Sequence, residues 1–234
     1  VVAVLAAIAL TPSAPVLVPE LAGAAAAEVA DLSAAARAAA ATLPQRWIVV
    51  GIGSSARTIE PDTRGTFAGY GVDLPVSLSD HAPARITAMP LCALVAAWLR
   101  GQTHPQARAQ VRVYPSDLSA DAALAHGREL RADIDAIDAP VGVLVVADGA
   151  HTLTPAAPGG HDPQSEAVQA DLDRALATGD AAALAALPEG IVGRVAYQVL
   201  AGLSPHPADA TELAHGAPYG VGYFVGTWDP GDRS

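Results

Sequence analysis

Apolar runs alternate with alanine-rich stretches along most of this chain, and the alternation predicts strands separated by helices. Val1 to Leu10 is continuously apolar and reads as a first strand buried on both faces. A loop shaped by Pro12 and Pro15 follows, then an alanine-rich helix from Pro19 to about Leu43, ended by Pro44. Arg46 to Gly51 is the second strand, Pro90 to Leu99 a short helix closed by Gly101, and Gln110 to Tyr114 the third strand. Ser119 is placed to cap a helix running to about Ile137, and Val141 to Ala147 is a fourth buried strand. Asp162 and Pro163 open a helix ending near Thr178. Gly179 and Asp180 separate it from a shorter helix to about Leu187, and Ile191 to Leu203 forms another. Tyr219 to Trp228 is a last strand whose glycines point to a bulge or a close backbone approach. This order predicts one α/β domain over residues 1–234, a three-layer α/β/α sandwich around a mostly parallel or mixed sheet. Only Ile52 to about Ala88 breaks the rhythm. A short hairpin is expected within Thr66 to Leu78, and an irregular region of this length more often serves a function than none.

Composition narrows the function classes. Hydrophobic residues make up 51% of the 234, but alanine dominates and aromatics are only 4%, so helices can pack closely through small side chains. The formal net charge is -11 and all 13 basic residues are arginine. Without lysine there is neither a Schiff-base lysine nor a P-loop lysine. An acidic surface with no basic cluster argues against nucleic acid and anionic membranes as partners. Cys92 is the single cysteine, inside an apolar run. It is expected in the core, and a chain without an internal disulfide is expected in the cytoplasm. Val1 to Leu10 has no basic segment before it and no small-residue cleavage site after it, so it reads as a strand rather than a signal peptide. It is also too short to span a bilayer.

Chemistry concentrates in Val141 to Pro163, VGVLVVADGAHTLTPAAPGGHDP, where the buried strand breaks into a loop carrying Asp148, His151, Thr152, Thr154, His161 and Asp162. Ligand crevices of open α/β sheets lie beyond the carboxyl ends of the strands, which makes His151, three residues after Asp148, the leading catalytic candidate. Two other patterns fall away. Gly51-Ile-Gly-Ser-Ser-Ala56 matches a relaxed dinucleotide fingerprint, but Arg57 to Gly65 contains Pro61 and no helical stripe, so a tight turn is the expected use. Ser13, Ser54 or Ser55 with His151 and Asp148 do not form a nucleophile elbow. The seven histidines include no H-E-x-x-H or comparable ligand spacing.

Ala147-Asp-Gly-Ala-His-Thr-Leu-Thr-Pro-Ala-Ala-Pro-Gly-Gly-His-Asp-Pro163 resembles the G-D-L-S-H-x-L-T-P-x-A-P-x-G-Y-D-P segment of the LigB-type catalytic subunits of class III extradiol ring-cleavage dioxygenases. Thr11 to Leu21, TPSAPVLVPEL, is similar to that family's P-H-P-P-x-L-x-P-E-L, and Ala217 to Val225, APYGVGYFV, to its G-P-F-G-V-G-Y. Ala167 to Leu187 has the family's helix, Thr-Gly-Asp turn and second helix, so the resemblance extends over essentially the whole chain.

The resemblance implies a fold and a cleft. Such enzymes cleave catechol-type rings with O2 at a non-haem Fe(II) held by two His and one Glu, with a further His as acid/base. Here the two His positions fall on Ser13 and near Ser54, and the Glu position on Gly216; the acid/base His corresponds to His151, beside Asp148. A protonated serine is a poor Fe(II) ligand and glycine has no side chain. The expectation is therefore a divergent member that keeps the cleft and has lost the iron, with no cofactor. Its cleft would be framed by Ser13, Ser54, Thr152, His161, Gly216 and Tyr219 and would take a small aromatic or other small molecule. The alternative is an active dioxygenase whose Fe(II) ligands have moved, with His161 and His215 as replacements, His81 and Glu212 as further donors. A structural subunit of a homo- or hetero-oligomer is a third reading, since the family often builds multimers.

Overall fold

The computed structural model of the chain describes residues 4–231. Its centre is four parallel strands: β1 (Leu5–Thr11), β2 (Arg46–Gly53), β6 (Arg108–Pro115) and β7 (Val141–Val146). Three antiparallel strands complete the sheet: β3 (Arg57–Ile59) beside β6, β9 (Tyr223–Asp229) beside β1, and β8 (Asp209–Gly216) beside β9. The order across the sheet is β3-β6-β2-β7-β1-β9-β8. The continuous apolar runs fall in the middle of this sheet, where both faces are covered. All six residues of β7 are buried.

Side chains alternate across the sheet and divide the core in two. Trp47 and Val49 of β2 join the cluster under α2 (Ala30–Ala40) and α3 (Leu91–Thr103). Ile48 and Val50 join the cluster under α4 (Ala120–Asp135), α5 (Gln164–Thr178), α6 (Ala181–Ala185) and α7 (Arg194–Leu203). The expected three-layer α/β sandwich is therefore present. Among the described residues, no helix is long and apolar enough to cross a membrane.

Several local expectations change. Val1, Val2 and Ala3, at the start of the expected first strand, lie outside the described residues. The helix expected from Pro19 to Leu43 is interrupted. A single turn, α1 (Pro19–Ala22), stops at Gly23, which has φ +53°, and α2 begins only at Ala30. Gly101 does not close α3, which runs on to Thr103, where the threonine hydroxyl bonds the Leu99 carbonyl. The helix expected from Ile191 starts at Arg194, because Val192 and Gly193 donate their amides to the loop after β7. β8 was not expected at all. Its sequence, DATELAHG, is mostly exposed at the sheet edge and has no apolar stripe to announce a strand. Other expectations hold. Ser119 accepts the Ala122 amide at 3.3 Å as the cap of α4. The irregular region contains the hairpin β4 (Arg64–Thr66) and β5 (Pro75–Ser77). After β2 no helix follows Gly51 to Ala56; a turn carries the chain to β3.

Helices α4 and α7 cross almost backbone to backbone. A methyl group on Gly127 would lie 2.2 Å from the Val199 carbonyl oxygen, and one on Gly202 2.2 Å from that of Leu124. Neither backbone can give way without moving a helix. Gly127→Ala is expected to destabilise the protein by about 1–3 kcal/mol or more, although alanine is the better helix former. Urea unfolding checks this; an unchanged or higher midpoint would mean that the crossing is looser than described.

Candidate functional site

Parallel pairing brings the carboxyl ends of β1, β2 and β7 to one edge of the sheet, and the residues that follow them meet there. Along that edge Ser54 follows β2, Asp148 follows β7 and Ser13 follows β1, so the two serines flank Asp148 on neighbouring strands. β8 closes the sheet, which puts Gly216 two strands beyond Ser13, paired with Tyr223.

Asp148 is the electrostatic centre. Its Oδ1 accepts the Ser13 amide at 2.8 Å, across a separation of 135 residues. Desolvation pushes its carboxyl up to about 6, against the opposing pull of the Ser13 hydrogen bond. Two phenols share this environment. Tyr223 is buried, and burial followed by the Asp148 charge pushes its hydroxyl up to about 12. Tyr197 is also buried, donates its hydroxyl to the Ala147 carbonyl at 2.9 Å, and is raised well above its ordinary value by burial first and the Asp148 charge second. Near neutral pH Asp148 can therefore present either a proton or a lone pair to a ligand hydroxyl.

The loop after β7 is fastened on two sides. Gly149 donates to the Gly222 carbonyl at 2.8 Å, Gly222 to that of Ala150 at 2.7 Å, and Leu153 to that of Gly220 at 3.1 Å. Opposite, Gly193 donates to the Asp148 carbonyl at 2.8 Å and Val192 to that of Gly149 at 3.1 Å. Gln169 of α5 locks the junction: its Oε1 accepts the Ala150 amide at 2.8 Å and its amide nitrogen donates to Asp173 at 2.7 Å. A Cβ on Gly149 or on Gly222 would stand 2.1 Å from that Oε1 and would have to push the Gln169 amide off its partners.

The expected cleft residues separate into those that gather and those that do not. His151 is exposed, with its ring against Gly159, where a Cβ would come within 2.6 Å of His151 Cδ2. Thr152 shares a 2.6 Å hydrogen bond with Ser165 at the start of α5. Asp162 is not the N-cap of α5, a position held by Pro163, but its Oδ1 takes the Gln164 amide at 3.0 Å. His161 turns to Glu166, 3.9 Å away. Tyr219 donates its hydroxyl to Glu28 at 3.1 Å, and Ser54 is exposed.

The donors do not fit an iron facial triad. Gly216 has no side chain, and the hydroxyls of Ser13 and Ser54 stay protonated near neutral pH and are poor Fe(II) ligands. His215 cannot stand in for its neighbour. Successive strand residues face opposite ways, and His215 bonds Glu212 at 2.6 Å, which together with the nearby Asp173 charge raises its pKa against some desolvation. Glu212 lies on this strand, three residues before His215. Among the described residues, no group of three or more His, Cys, Asp or Glu side chains could hold a metal ion.

Three contributors escaped the sequence reading. Gln169 is one buried amide on an otherwise ordinary helix, and Tyr223 lies within YGVGYFV but gave no sign of facing Asp148. Thr11 ends β1 with its hydroxyl buried and without a hydrogen-bond partner among the described residues. A glutamine one turn before an aspartate, as in Gln169 and Asp173, was the only available signal, and it is a weak one.

No protein-family model matches the chain, and no curated protein matches it. A crystal structure of the uncharacterized protein JW3007 from Escherichia coli K12 is similar, with a TM-score of 0.60 and 12% identity over 96% of this chain and 99% of that one. At that identity the likeness carries the fold alone.

Because Asp148 holds its proton more tightly when folded than when unfolded, its contribution lowers stability as pH rises from about 4 to about 6. Asp148→Asn keeps an oxygen acceptor for Ser13 and removes the ionisation. The variant is expected to show a flatter stability curve over that window, read as urea midpoints against pH. An identical slope in both proteins would assign the pH dependence to another group.

Proposed function

We propose that this chain is a divergent LigB-like protein whose carboxyl-edge cleft binds a small, hydroxyl-bearing organic molecule without an Fe(II) centre. The observation that carries the reading is the meeting of Ser13, Asp148 and the 217–222 turn around the ends of neighbouring strands. These are the three segments that resemble the family; of the positions that correspond to its iron donors, Ser13 lies in the first, Ser54 after β2, and Gly216 just before the last. The Asp148 carboxyl, raised to about 6, fits a ligand hydroxyl that can give or take a hydrogen bond. His151 stands exposed in the loop that Asp148 opens, where a ligand could reach it from the solvent side. If the bound molecule is transformed, His151 and Asp148 are the groups able to move its protons.

Metal stoichiometry decides between this reading and a dioxygenase with moved ligands. Untagged protein, reconstituted anaerobically with Fe(II) and desalted, is expected to retain far less than one metal per chain, with no catechol-dependent O2 uptake. Catechol is expected to bind all the same, in ligand-observed NMR, and His151→Ala to weaken it roughly tenfold, about 1.4 kcal/mol. One tightly held iron per chain with catechol-dependent O2 uptake would overturn the proposal. So would the failure of catechol and related phenols to bind at all.

A further inference from the structure

We infer a second site, for a small organic oxyanion, at the opposite end of the sheet from Asp148. Arg46 and Arg108 are the first residues of β2 and β6 and stand directly opposite one another in the parallel register. Side chains at such positions share a face, here the one covered by α4 to α7, since Ile48 and Val50 follow Arg46 on that side. Two like charges in register repel; both side chains are exposed, so solvent screens part of that repulsion, and an anion between them relieves the rest.

Among the described residues, none supplies such an anion. Neither guanidinium has an ion-pair or side-chain hydrogen-bond partner among the described residues, although the chain carries 24 acidic residues against 13 arginines. Arg112, farther along β6 on the same face, shows the contrast: it pairs with Asp133 of α4 at 3.7 Å and bonds Gln110 at 3.2 Å. Asp138, which precedes the 139–140 wall, is exposed and does not line the space between the two arginines.

That space is a concavity of about 450 Å3, bounded by Arg46, Arg108, Gln45, Gln106, Pro44 and Pro140, with Ala139 beside them. Its lining defines the ligand. Two guanidiniums and two primary amides supply donors for a carboxylate or phosphate, where planar Arg forks are the strongest available partners. The two proline rings and Ala139 offer an apolar wall, which suits a ligand with a small hydrocarbon or aromatic body rather than a bare ion. In a chain of net charge -11 the surrounding field repels anions, so binding here depends on these local charges and falls as salt screens them. β2 has eight residues, which separates this site from the carboxyl-edge cleft by on the order of 25 Å. The inference is therefore independent of the function proposed for that cleft.

Titration calorimetry with phenyl phosphate and with benzoate tests it, with inorganic phosphate and phenol as comparison ligands. At least one of the two aromatic anions is expected to saturate a single site, and which one does so identifies the oxyanion as phosphate or carboxylate. Inorganic phosphate is expected to bind at least tenfold more weakly, and any phenol binding to be unaffected by the arginine double variant. The double variant Arg46→Gln/Arg108→Gln is expected to lose at least tenfold in affinity, with circular dichroism and urea midpoint showing that it still folds. Asp148→Asn is expected to leave binding unchanged. The site is refuted if neither aromatic anion saturates, if the arginine variant binds as well as the parent, or if Asp148→Asn abolishes the signal. Equal binding of inorganic phosphate would refute the apolar part of the assignment.

Discussion

The pairing of β1 with β7 fixes the position of everything at the carboxyl edge of this protein. Five consecutive register pairs from Ala7 to Thr11 align two strands whose partners lie more than a hundred residues apart in sequence, and Thr11 ends level with Val146. The ladder does not stop with the strands. The Ala147 amide bonds the Thr11 carbonyl at 3.0 Å, and the Ser13 amide bonds the Asp148 side chain at 2.8 Å. The loop after β1 is thus held by the loop after β7, and the central sheet's ladder continues past the strand ends.

Around that axis the tolerances are small because the packing uses backbone rather than side chains. Gly149 and Gly222 lie on either side of the Gln169 amide, and Gly193 meets Ala147 and Asp148 so closely that a Cβ would come within 2.6 Å of its neighbour. The same economy holds α4 against α7 through Gly127 and Gly202. An alanine-rich chain with few aromatics has little side-chain volume with which to fill gaps, so its elements must approach closely to leave none. The large residues are spent centrally instead: Trp47 and Trp228 are fully buried, and each indole nitrogen donates to a carbonyl, of Pro44 and of Leu176.

This distribution explains what could be read from sequence. The parallel strands were legible because burial on both faces leaves an unbroken apolar run, as in VGVLVV. The cleft loop was legible because polar residues, glycine and proline follow such a run abruptly. β8 was not, since an exposed edge strand carrying Asp209, Glu212 and His215 has no hydrophobic period. Nor was the break at Gly23, because an alanine-rich segment looks helical whether or not tertiary packing bends it. The bond from Asp148 to Ser13 and the clamp by Gln169 were out of reach altogether. Both join residues whose proximity depends on strand order, which local pattern does not encode.

The charge balance of the cleft follows from the same residues. A divalent cation near Asp148 would favour its ionised form and draw its pKa down. The groups that do face it, the Ser13 amide, Tyr223 and Tyr197, carry no positive charge, and the hydrogen bond from Ser13 only partly offsets desolvation. Burial therefore leaves the carboxyl protonated below about pH 6 and ionised above it. The charge it leaves behind on ionising is what helps to keep both tyrosines protonated. At this edge one ionisable carboxyl thus lies among two phenols that stay neutral. The paired arginines stand at the far end of the sheet, where an anion meets no such carboxyl.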